Sequence, residues 1–351
     1  MKILLPYSLN LGKGFNDSVI TGGVEKFSHS IYDAFDDVEI LEIDNPKDFK
    51  TNNTLIKTSA LECGADIIIL NRAQGSFCGV GTLDSPVPML LVCHEKPSMP
   101  SVLKRLYRFR DAGHSLCFVS EYQKTLYDRM AKRQTYDAKF VEIDSYINSA
   151  YVTGSKPKLV EPEYDCCTIG RCDTTEKKPF LMKTMLKNTK IRSLLMTNTP
   201  PSNCKPVTYS YYKKNQHWGD TLWDLDYSEV MNNLSKCKTY FSTWSVETWG
   251  ITALEALSHG IPIILNSDAR GDHASKVIPA RPSHYTTIPT NDKDALIKAI
   301  KSFNGIDRKE IQDMTWEKHS LENWKTHFSN CIDKTIERFN NKSRATLNGF
   351  F

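Results

Sequence analysis

The sequence has 351 residues, of which 40% are hydrophobic and 25% are charged, and its formal net charge at pH 7 is +4. This ordinary globular composition suits two domains and excludes a repeat array or a low-complexity tail. No apolar run approaches the ~20 residues needed to span a bilayer, and the first residues indicate a strand and not a signal peptide, so we expect a cytoplasmic protein.

The first half of the chain alternates short apolar stretches with polar or helical sequence, which predicts an α/β domain with a parallel sheet over residues 1–155. The candidate strands are residues 1–5, 38–42, 65–70, 88–93, 116–120 and 139–142. A polar loop follows the first strand and ends at Gly22 and Gly23, where a helix begins. By itself this glycine pair indicates only a turn.

A polar pair, His94 and Glu95, follows the predicted strand at residues 88–93. Side chains at the carboxyl end of a parallel strand face the ligand-binding edge of the sheet. We therefore interpret the two residues as a candidate catalytic pair beside the hydroxyl group of an acceptor substrate. A surface turn before Pro97 is the alternative interpretation.

The stretch from Lys96 to Lys139 is strongly basic, with ten Lys or Arg against four Asp or Glu. A basic face beside an acidic remainder fits a polyanionic acceptor such as DNA. Tyr107 and Phe109 lie among the arginines and can stack on bases. The predicted DNA contacts are Lys104, Arg105, Arg108 and Arg110. A solvated helix face and a face that docks on anionic lipid are the alternatives.

Residues 152–165 contain glycine and proline but few apolar anchors, so they predict a linker to a second α/β domain over residues 166–315. Its candidate strands include residues 191–197, 238–243 and 261–265. An amphipathic helix is predicted at residues 316–339, at the start of a last segment, 316–351.

The ten cysteines are scattered as in cytosolic enzymes with reduced thiols. The cluster Cys166, Cys167 and Cys172 lacks a spaced fourth ligand, so we expect no metal site.

The most informative stretch is FSTWSVETWGITALEALSHGIPIIL at residues 241–265, in which Glu247 and Glu255 stand eight residues apart. The turn between them contains Gly250, Ile251 and Thr252. A strand-type run before the turn and helix formers after it predict a helix whose unpaired first amides favour a diphosphate. Glu255, about one turn inside, can accept hydrogen bonds from a ribose, and Glu247 can face sugar hydroxyls. The alternative is an ordinary strand-helix-strand unit with two solvated glutamates.

This stretch, with its ending Glu255-Ala256-Leu257 through Gly260 and Pro262, resembles the Glu-x7-Glu signature of the retaining GT-B glycosyltransferases of family 4. The resemblance implies two Rossmann-like domains facing across a cleft, with ligand at the carboxyl ends of the sheets. It implies that the segment 316–351 crosses back to the first domain. It also implies a nucleotide diphosphate sugar donor, which we take to be a UDP-sugar, a retaining reaction and no obligatory metal.

A second signature of this family is a strand that ends in Gly-Arg, followed by a lysine at a helix start, and Gly170 and Arg171 resemble it. The resemblance implies that Arg171 and one lysine neutralise the leaving diphosphate. Pro179 stands where the family usually has glycine, after one extra residue. Both Lys177 and Lys178 are therefore candidates, and we favour Lys178.

The Gly22 and Gly23 loop resembles the GT-B loop that lies under the donor phosphates. Residues 22–129 also resemble, more loosely, the α-glucosyltransferases of T-even bacteriophages, which modify hydroxymethylcytosine in DNA. The shared features are a helix start at residues 23–28, a strand at residues 65–69 and a His-acid dipeptide at His94 and Glu95. The resemblance implies double-stranded DNA as a partner.

The sequence thus predicts a retaining glycosyltransferase that moves a sugar from a UDP-sugar to a hydroxyl, with 5-hydroxymethylcytosine in phage DNA as the acceptor. The alternative acceptor is a lipid-linked or free saccharide of cell-envelope or exopolysaccharide synthesis. A sugar-nucleotide or DNA-binding module without turnover is disfavoured by the intact cations and glutamates. A glycoside hydrolase is disfavoured because Glu247 and Glu255 flank a phosphate-type helix start.

Overall fold

A computed structural model describes most of the chain as two compact units. The described residues are 1–8, 15, 23–45, 48–71, 85–94, 100–133, 155–172, 178–199, 206–215, 220–243, 250–267 and 282–348. Unit 1 comprises Met1–Tyr151 together with Leu321–Phe351, and unit 2 comprises Val152–Ser320. In the described part, no helix is both long enough and apolar enough to cross a bilayer.

Strands and helices alternate along most of the chain. The strands are β1 (Ile3–Ser8), β2 (Val38–Ile43), β3 (Ile67–Leu70), β4 (Met89–Cys93), β5 (Ser115–Phe118), β6 (Cys166–Ile169), β7 (Ser193–Thr197), β8 (Thr221–Trp223), β9 (Tyr240–Ser242), β10 (Ile263–Ser267) and β11 (Tyr285–Pro289). The helices are α1 (Gly23–Ala34), α2 (Phe49–Glu62), α3 (Pro100–Asp111), α4 (Glu121–Arg133), α5 (Leu181–Leu186), α6 (Pro206–Asn215), α7 (Tyr227–Ser235), α8 (Ile251–Ser258), α9 (Lys293–Ser302), α10 (Arg308–Lys318) and α11 (Leu321–Asn348).

Unit 1 contains a five-stranded parallel sheet with the order β2-β1-β3-β4-β5. Every residue of β3, β4 and β5 is buried, as expected for parallel strands covered by helices on both faces. The chain returns to this sheet at its end, where α11 packs against α1, β4 and β5. Phe328 of α11 lies edge-on to Phe27 of α1, with ring centroids 5.5 Å apart. The predicted strand at residues 139–142 lies outside the described residues.

Unit 2 contains a six-stranded parallel sheet with the order β11-β10-β9-β6-β7-β8. Its core is formed by strand residues such as Leu194, Tyr240 and Ile263, packed against Leu257 of α8. The predicted strands at residues 191–197, 238–243 and 261–265 are confirmed as β7, β9 and β10. The short outer strand β11 is an addition that the sequence pattern does not predict.

Two segments differ from what the sequence pattern indicates. The single helix predicted at residues 316–339 is two helices, because α10 ends before His319, whose N–H donates to the Thr315 carbonyl at 2.9 Å. Trp316 therefore belongs to unit 2, where its Nε1 donates to the Ser258 carbonyl at 3.0 Å. The aromatic stretch 209–223 is compatible in sequence with a donor loop, a nucleic-acid contact or a packed strand and turn. It contains most of helix α6 and then strand β8.

Candidate active site

The unit 2 sheet has a switch point between β6 and β9. From β6 the chain adds β7 and β8 on one side, and it then returns to place β9 on the other side of β6. At such a point the connections leave in opposite directions and open a crevice at the carboxyl ends of the strands. Arg171 follows β6 and α8 follows β9, so the strand order brings both to one edge of the sheet.

Arg171 is exposed at this edge, and the backbone on both sides of it is held against the end of β7. The Gly170 N–H donates to a β7 carbonyl at 3.1 Å, and the Thr197 hydroxyl donates to the Gly170 carbonyl at 2.7 Å. The Cys172 N–H donates to Asn198 Oδ1 at 2.8 Å. The guanidinium is therefore carried by a turn whose backbone is fixed, which favours a preorganised anion contact.

Lys178 is exposed and has a backbone φ of +41°, in the left-handed region that favours glycine. A residue before proline is normally extended, so this conformation is strained. Pro179 and Phe180 are buried, and the Leu181 N–H donates to the Lys178 carbonyl at 2.9 Å as α5 begins. Pro179 stands where the family pattern has glycine, and the residue with the left-handed backbone is Lys178, one position earlier. Lys177 lies outside the described residues.

The first turn of α8 faces the same edge. Its N-cap is Gly250, which is buried and has no side chain that could accept from the first amides, and no side-chain cap is present within the described part of the chain. Uncapped N-terminal amides carry the positive end of the helix dipole and bind anions. Ile251 and Thr252 begin the helix, and the Tyr240 hydroxyl lies 3.2 Å from Thr252 Oγ1. Glu247 lies outside the described residues.

Glu255 lies one turn further along α8 and is only 9% exposed. Its Oε1 accepts a hydrogen bond from the Tyr227 hydroxyl at 3.0 Å. Burying a carboxylate is costly unless hydrogen bonds satisfy it. Tyr227, at the start of α7, therefore stabilises the buried Glu255 carboxylate. No sequence pattern indicates this contact, because the two residues are 28 positions apart and lie on different helices.

The C-terminal end of α8 is anchored by Arg308. Its guanidinium donates to the carbonyls of Val160 at 2.8 Å, Ser235 at 3.3 Å, His259 at 3.2 Å and Gly260 at 3.3 Å. These four carbonyls come from the segment before β6, the end of α7 and the end of α8. The anchor fixes α7 and α8 together, and with them the Tyr227 contact.

In unit 1, His94 directly follows β4 and is half-buried. Its Nε2 lies 2.5 Å from Asn71 Oδ1, and Asn71 directly follows β3. Gly23 is the first residue of α1, as predicted. Gly22 and Glu95 lie outside the described residues, so the structure brings His94 together with Asn71 and does not test the predicted pair.

No protein-family model matches the sequence, and no curated protein matches it. Solved structures do match. HepE from Anabaena, solved with UDP-glucose, is 11% identical with a TM-score of 0.67, and the match covers 95% of this chain and 99% of that one. A glycosyltransferase from Rickettsia africae is 15% identical with a TM-score of 0.65 over 97% and 99%. The lipopolysaccharide outer core galactosyltransferase WaaB, in its apo form, is 14% identical with a TM-score of 0.58 over 95% and 99%.

These likenesses span nearly the whole chain and include both parallel sheets. The chain has the GT-B fold. The predicted fold class is therefore confirmed, and at 11–15% identity the likeness concerns the fold alone.

The described part of the basic stretch lies on α3 and α4. Helix α3 runs from the carboxyl end of β4 to the amino end of β5, so its last turn lies at the opposite edge of the sheet from His94. Arg108 is exposed there. Arg110 is 12% exposed, bonds Asp111 at 2.9 Å and lies 5.0 Å from the centre of the Tyr107 ring. Tyr107 and Phe109 are buried in the core of unit 1, so the prediction that they stack on bases is wrong. The side chains of Lys104 and Arg105 lie outside the described part.

The cysteine cluster belongs to the core of unit 2. Cys166 and Cys167 are fully buried on β6 and point to opposite faces of the sheet, each into its own core cluster. Burial raises the pKa of the Cys166 thiol to about 12, so the thiol stays protonated. Within the described residues no group of three His, Cys, Asp or Glu side chains could hold a metal ion.

Proposed function

We propose that the protein is a retaining glycosyltransferase that uses a UDP-sugar. One observation carries the proposal: the exposed Arg171 and the uncapped start of α8 come to one edge of the sheet at its switch point. A fixed cation and a helix N-terminus together suit a diphosphate. Solved structures of HepE with UDP, with UDP and glucose, and with UDP-glucose support the donor class.

In the proposed reaction the acceptor oxygen bonds to the anomeric carbon of the sugar, and the bond from that carbon to the diphosphate breaks. UDP leaves with the bonding electrons, and the acceptor hydroxyl passes its proton to the proposed pair His94 and Glu95, from which it goes to water. Negative charge grows on the diphosphate as the bond breaks, so Arg171 and Lys178 stabilise the transition state more than the ground state. The amides at Gly250, Ile251 and Thr252 add to this effect.

The remaining residues bind and orient the substrates. Glu255 accepts from the ribose hydroxyls, and the Tyr227 hydroxyl bonded to its Oε1 helps to hold the carboxylate in place. Glu247 contacts the sugar hydroxyls. For unit 1 we propose that His94 and Glu95 act on the acceptor hydroxyl and that Gly22 and Gly23 bind the donor phosphates.

We propose 5-hydroxymethylcytosine in DNA as the acceptor. The support is the excess of ten basic over four acidic residues between Lys96 and Lys139, because phosphate contacts dominate affinity for DNA. The hydroxymethyl group sits on a stacked base, so the base must be displaced before a hydroxyl can react. A polyanion that meets both Arg108 and His94 must extend along α3 from its start to Arg108, a rise of about 12 Å.

A saccharide or lipid-linked acceptor is the competing proposal. WaaB, which shares the fold, is a lipopolysaccharide outer core galactosyltransferase. An acceptor of that class would need no polyanion contact along α3, so the two proposals differ in what the basic stretch does.

Transfer of labelled sugar from a panel of UDP-sugars distinguishes these acceptors. We expect label on DNA that contains 5-hydroxymethylcytosine and none on the same duplex with unmodified cytosine. The apparent affinity for the duplex should fall linearly with the logarithm of salt concentration. Label on a saccharide or lipid-linked acceptor, with none on the modified duplex for any donor, would overturn the DNA proposal and leave the glycosyltransferase standing.

A further inference from the structure

A buried polar chain links α1, β3 and β4 in unit 1. Asn71, which follows β3 directly, is 3% exposed, and Ser28 on α1 is 2% exposed. The Asn71 Nδ2 donates to Ser28 Oγ at 2.7 Å, and Asn71 Oδ1 lies 2.5 Å from His94 Nε2. Polar groups at this depth are costly unless they are hydrogen bonded, so the chain is a specific feature of this fold.

This chain lies beside the switch point of the first sheet. β1 pairs with β2 on one side and with β3 on the other, and the connection after β2 returns across β1 to β3. Ligands of open α/β sheets bind at the carboxyl ends of the strands beside such a point. Asn71 and His94 are the first residues after β3 and β4, so they stand at the edge where the acceptor is expected.

The orientation of the Asn71 amide determines the tautomer of His94. The amide has a donor end and an acceptor end, and its donor end is used on Ser28. Its oxygen can only accept, so the His94 nitrogen 2.5 Å away, Nε2, must carry the hydrogen. In the neutral imidazole the lone pair is then on Nδ1.

Aromatic packing holds the plane of the same ring. Phe27 of α1 lies edge-on to His94, with centroids 5.2 Å apart and an interplanar angle of 76°. Phe27 is itself fully buried against Trp324 and Phe328 of α11, with centroids 5.7 Å and 5.5 Å away. The imidazole is therefore oriented by a hydrogen bond at one nitrogen and by an aromatic contact.

We propose that Asn71 is a positioning residue for His94. It fixes the Nε2–H tautomer, and Nδ1 then accepts a hydrogen bond from the acceptor hydroxyl. The role in catalysis rests on the proposed function above, whereas the tautomer does not. Ser28 completes the arrangement because its hydroxyl accepts the hydrogen bond that Asn71 Nδ2 donates.

Charged residues flank this arrangement in the chain. Lys26 on α1 is 7% exposed, His29 lies one turn further along the helix, and Glu95 follows His94 outside the described residues. On α11, Lys325 lies 5.8 Å from the Phe35 ring. Because these groups also act on a titration, the test must observe His94 itself and not infer its state from a rate.

Nitrogen NMR of protein labelled with ¹⁵N-histidine gives that observation, with His94→Gln used to assign the signal among the nine histidines. We expect wild-type His94 as the Nε2–H tautomer. Asn71→Asp is nearly isosteric and places a carboxylate at Nε2, so it should raise the titration midpoint of His94 by about 1 to 3 pH units. Asn71→Leu should abolish the tautomer preference.

Asn53→Asp is the matched control, because Asn53 is also buried in unit 1 but lies on α2, which packs against β1 and β2. It adds a buried carboxylate to the same unit on a different helix and should leave the His94 signal unchanged. An Nδ1–H tautomer in the wild type would mean the opposite amide orientation and would overturn the proposal. An equal shift in both Asp variants would also overturn it.

Activity separates this proposal from the proposed function. In Asn71→Asp the acid limb of the pH profile of kcat/KM for the acceptor should move upward together with the His94 midpoint. In Asn71→Leu kcat should fall by about 10²-fold, because a misplaced group loses that much, while affinity for the donor is unchanged. A profile that stays in place while the midpoint moves would overturn the role of Nδ1. If no sugar is transferred by any variant, the proposed function fails, and the tautomer result still decides the role of Asn71 toward His94.

Discussion

At the scale of single residues, sequence patterns indicate the groups that sit in local motifs and miss those that work through tertiary contacts. Arg171 and Glu255 stand in recognisable motifs, and the structure gives them a fixed turn and a hydrogen-bonded site. Tyr227 and Asn71 stand in no motif. Their importance comes from a hydroxyl 3.0 Å from Glu255 and an amide 2.5 Å from His94, distances that depend on packing between elements.

Because Lys178 has a left-handed backbone, its effect on the free energy of unfolding can be measured separately from its chemical role. Lys178→Ala and Lys178→Gly both remove the cation, so both should lower turnover by about 10²-fold. Glycine relieves the strain at φ +41°. The free energy of unfolding should therefore be higher for Lys178→Gly than for Lys178→Ala, by about 1 kcal/mol. Urea unfolding and initial rates measure the two effects.

Lys190 offers the matched control for this pair of variants. It is an exposed lysine of the same unit, before β7, and it is not among the left-handed residues. At Lys190 the order of stability should reverse, with alanine above glycine, and turnover should not change. If glycine were also the less stable choice at Lys178, the residue would not be strained. If turnover survived in both variants, the lysine would have no role at the phosphates.

At the scale of elements, helix ends that depend on glycine are predictable and those that depend on packing are not. Gly260 ends the α8 segment with a φ of +70°, and a Cβ there would lie 2.3 Å from the Arg308 carbonyl. Between α10 and α11, by contrast, the sequence at His319 and Ser320 has neither glycine nor proline. The apolar periodicity continues through this break, which is why the sequence predicts one helix in place of two.

The end of α8 also predicts a pH dependence. Burial lowers the pKa of His259 below its ordinary value of about 6.5, against the opposing effect of its hydrogen bond to the Glu255 carbonyl. The folded protein thus holds His259 neutral, and the unfolded chain binds the proton first. The free energy of unfolding should therefore be highest above about pH 6.5 and should decrease as pH falls below it, by at most about 1.4 kcal/mol per pH unit for this group. The decrease ends where pH reaches the lowered pKa of the folded state.

His259→Asn checks this prediction, because the asparagine amide can replace the Nδ1–H donor, which lies 2.8 Å from the Glu255 carbonyl. We expect the free energy of unfolding to fall less between pH 7.5 and pH 5.5 in this variant than in the wild type. The exposed His327 on α11 provides the control, and His327→Asn should leave the wild-type difference intact. An equal loss in wild type and His259→Asn would contradict the assignment.

At the scale of the whole molecule, the alternation of strands and helices predicts two α/β domains with parallel sheets. The order of strands within each sheet cannot be predicted in this way, because which strands become neighbours depends on packing between segments far apart in the chain. That order is what places Arg171 beside α8 in unit 2, and Asn71 beside His94 in unit 1.

Calorimetric titration of UDP into the wild type, Arg171→Ala and Arg192→Ala tests the central claim most directly. Both arginines are exposed in unit 2, but Arg171 follows β6 at the carboxyl edge and Arg192 precedes β7 at the amino edge. We predict that UDP binds the wild type and Arg192→Ala equally and binds Arg171→Ala at least about 10-fold more weakly, because a charge-assisted contact of about 1.5 kcal/mol or more is lost. Equal binding to all three proteins, or no binding of UDP to the wild type, would contradict a nucleotide-sugar site at the switch point between β6 and β9.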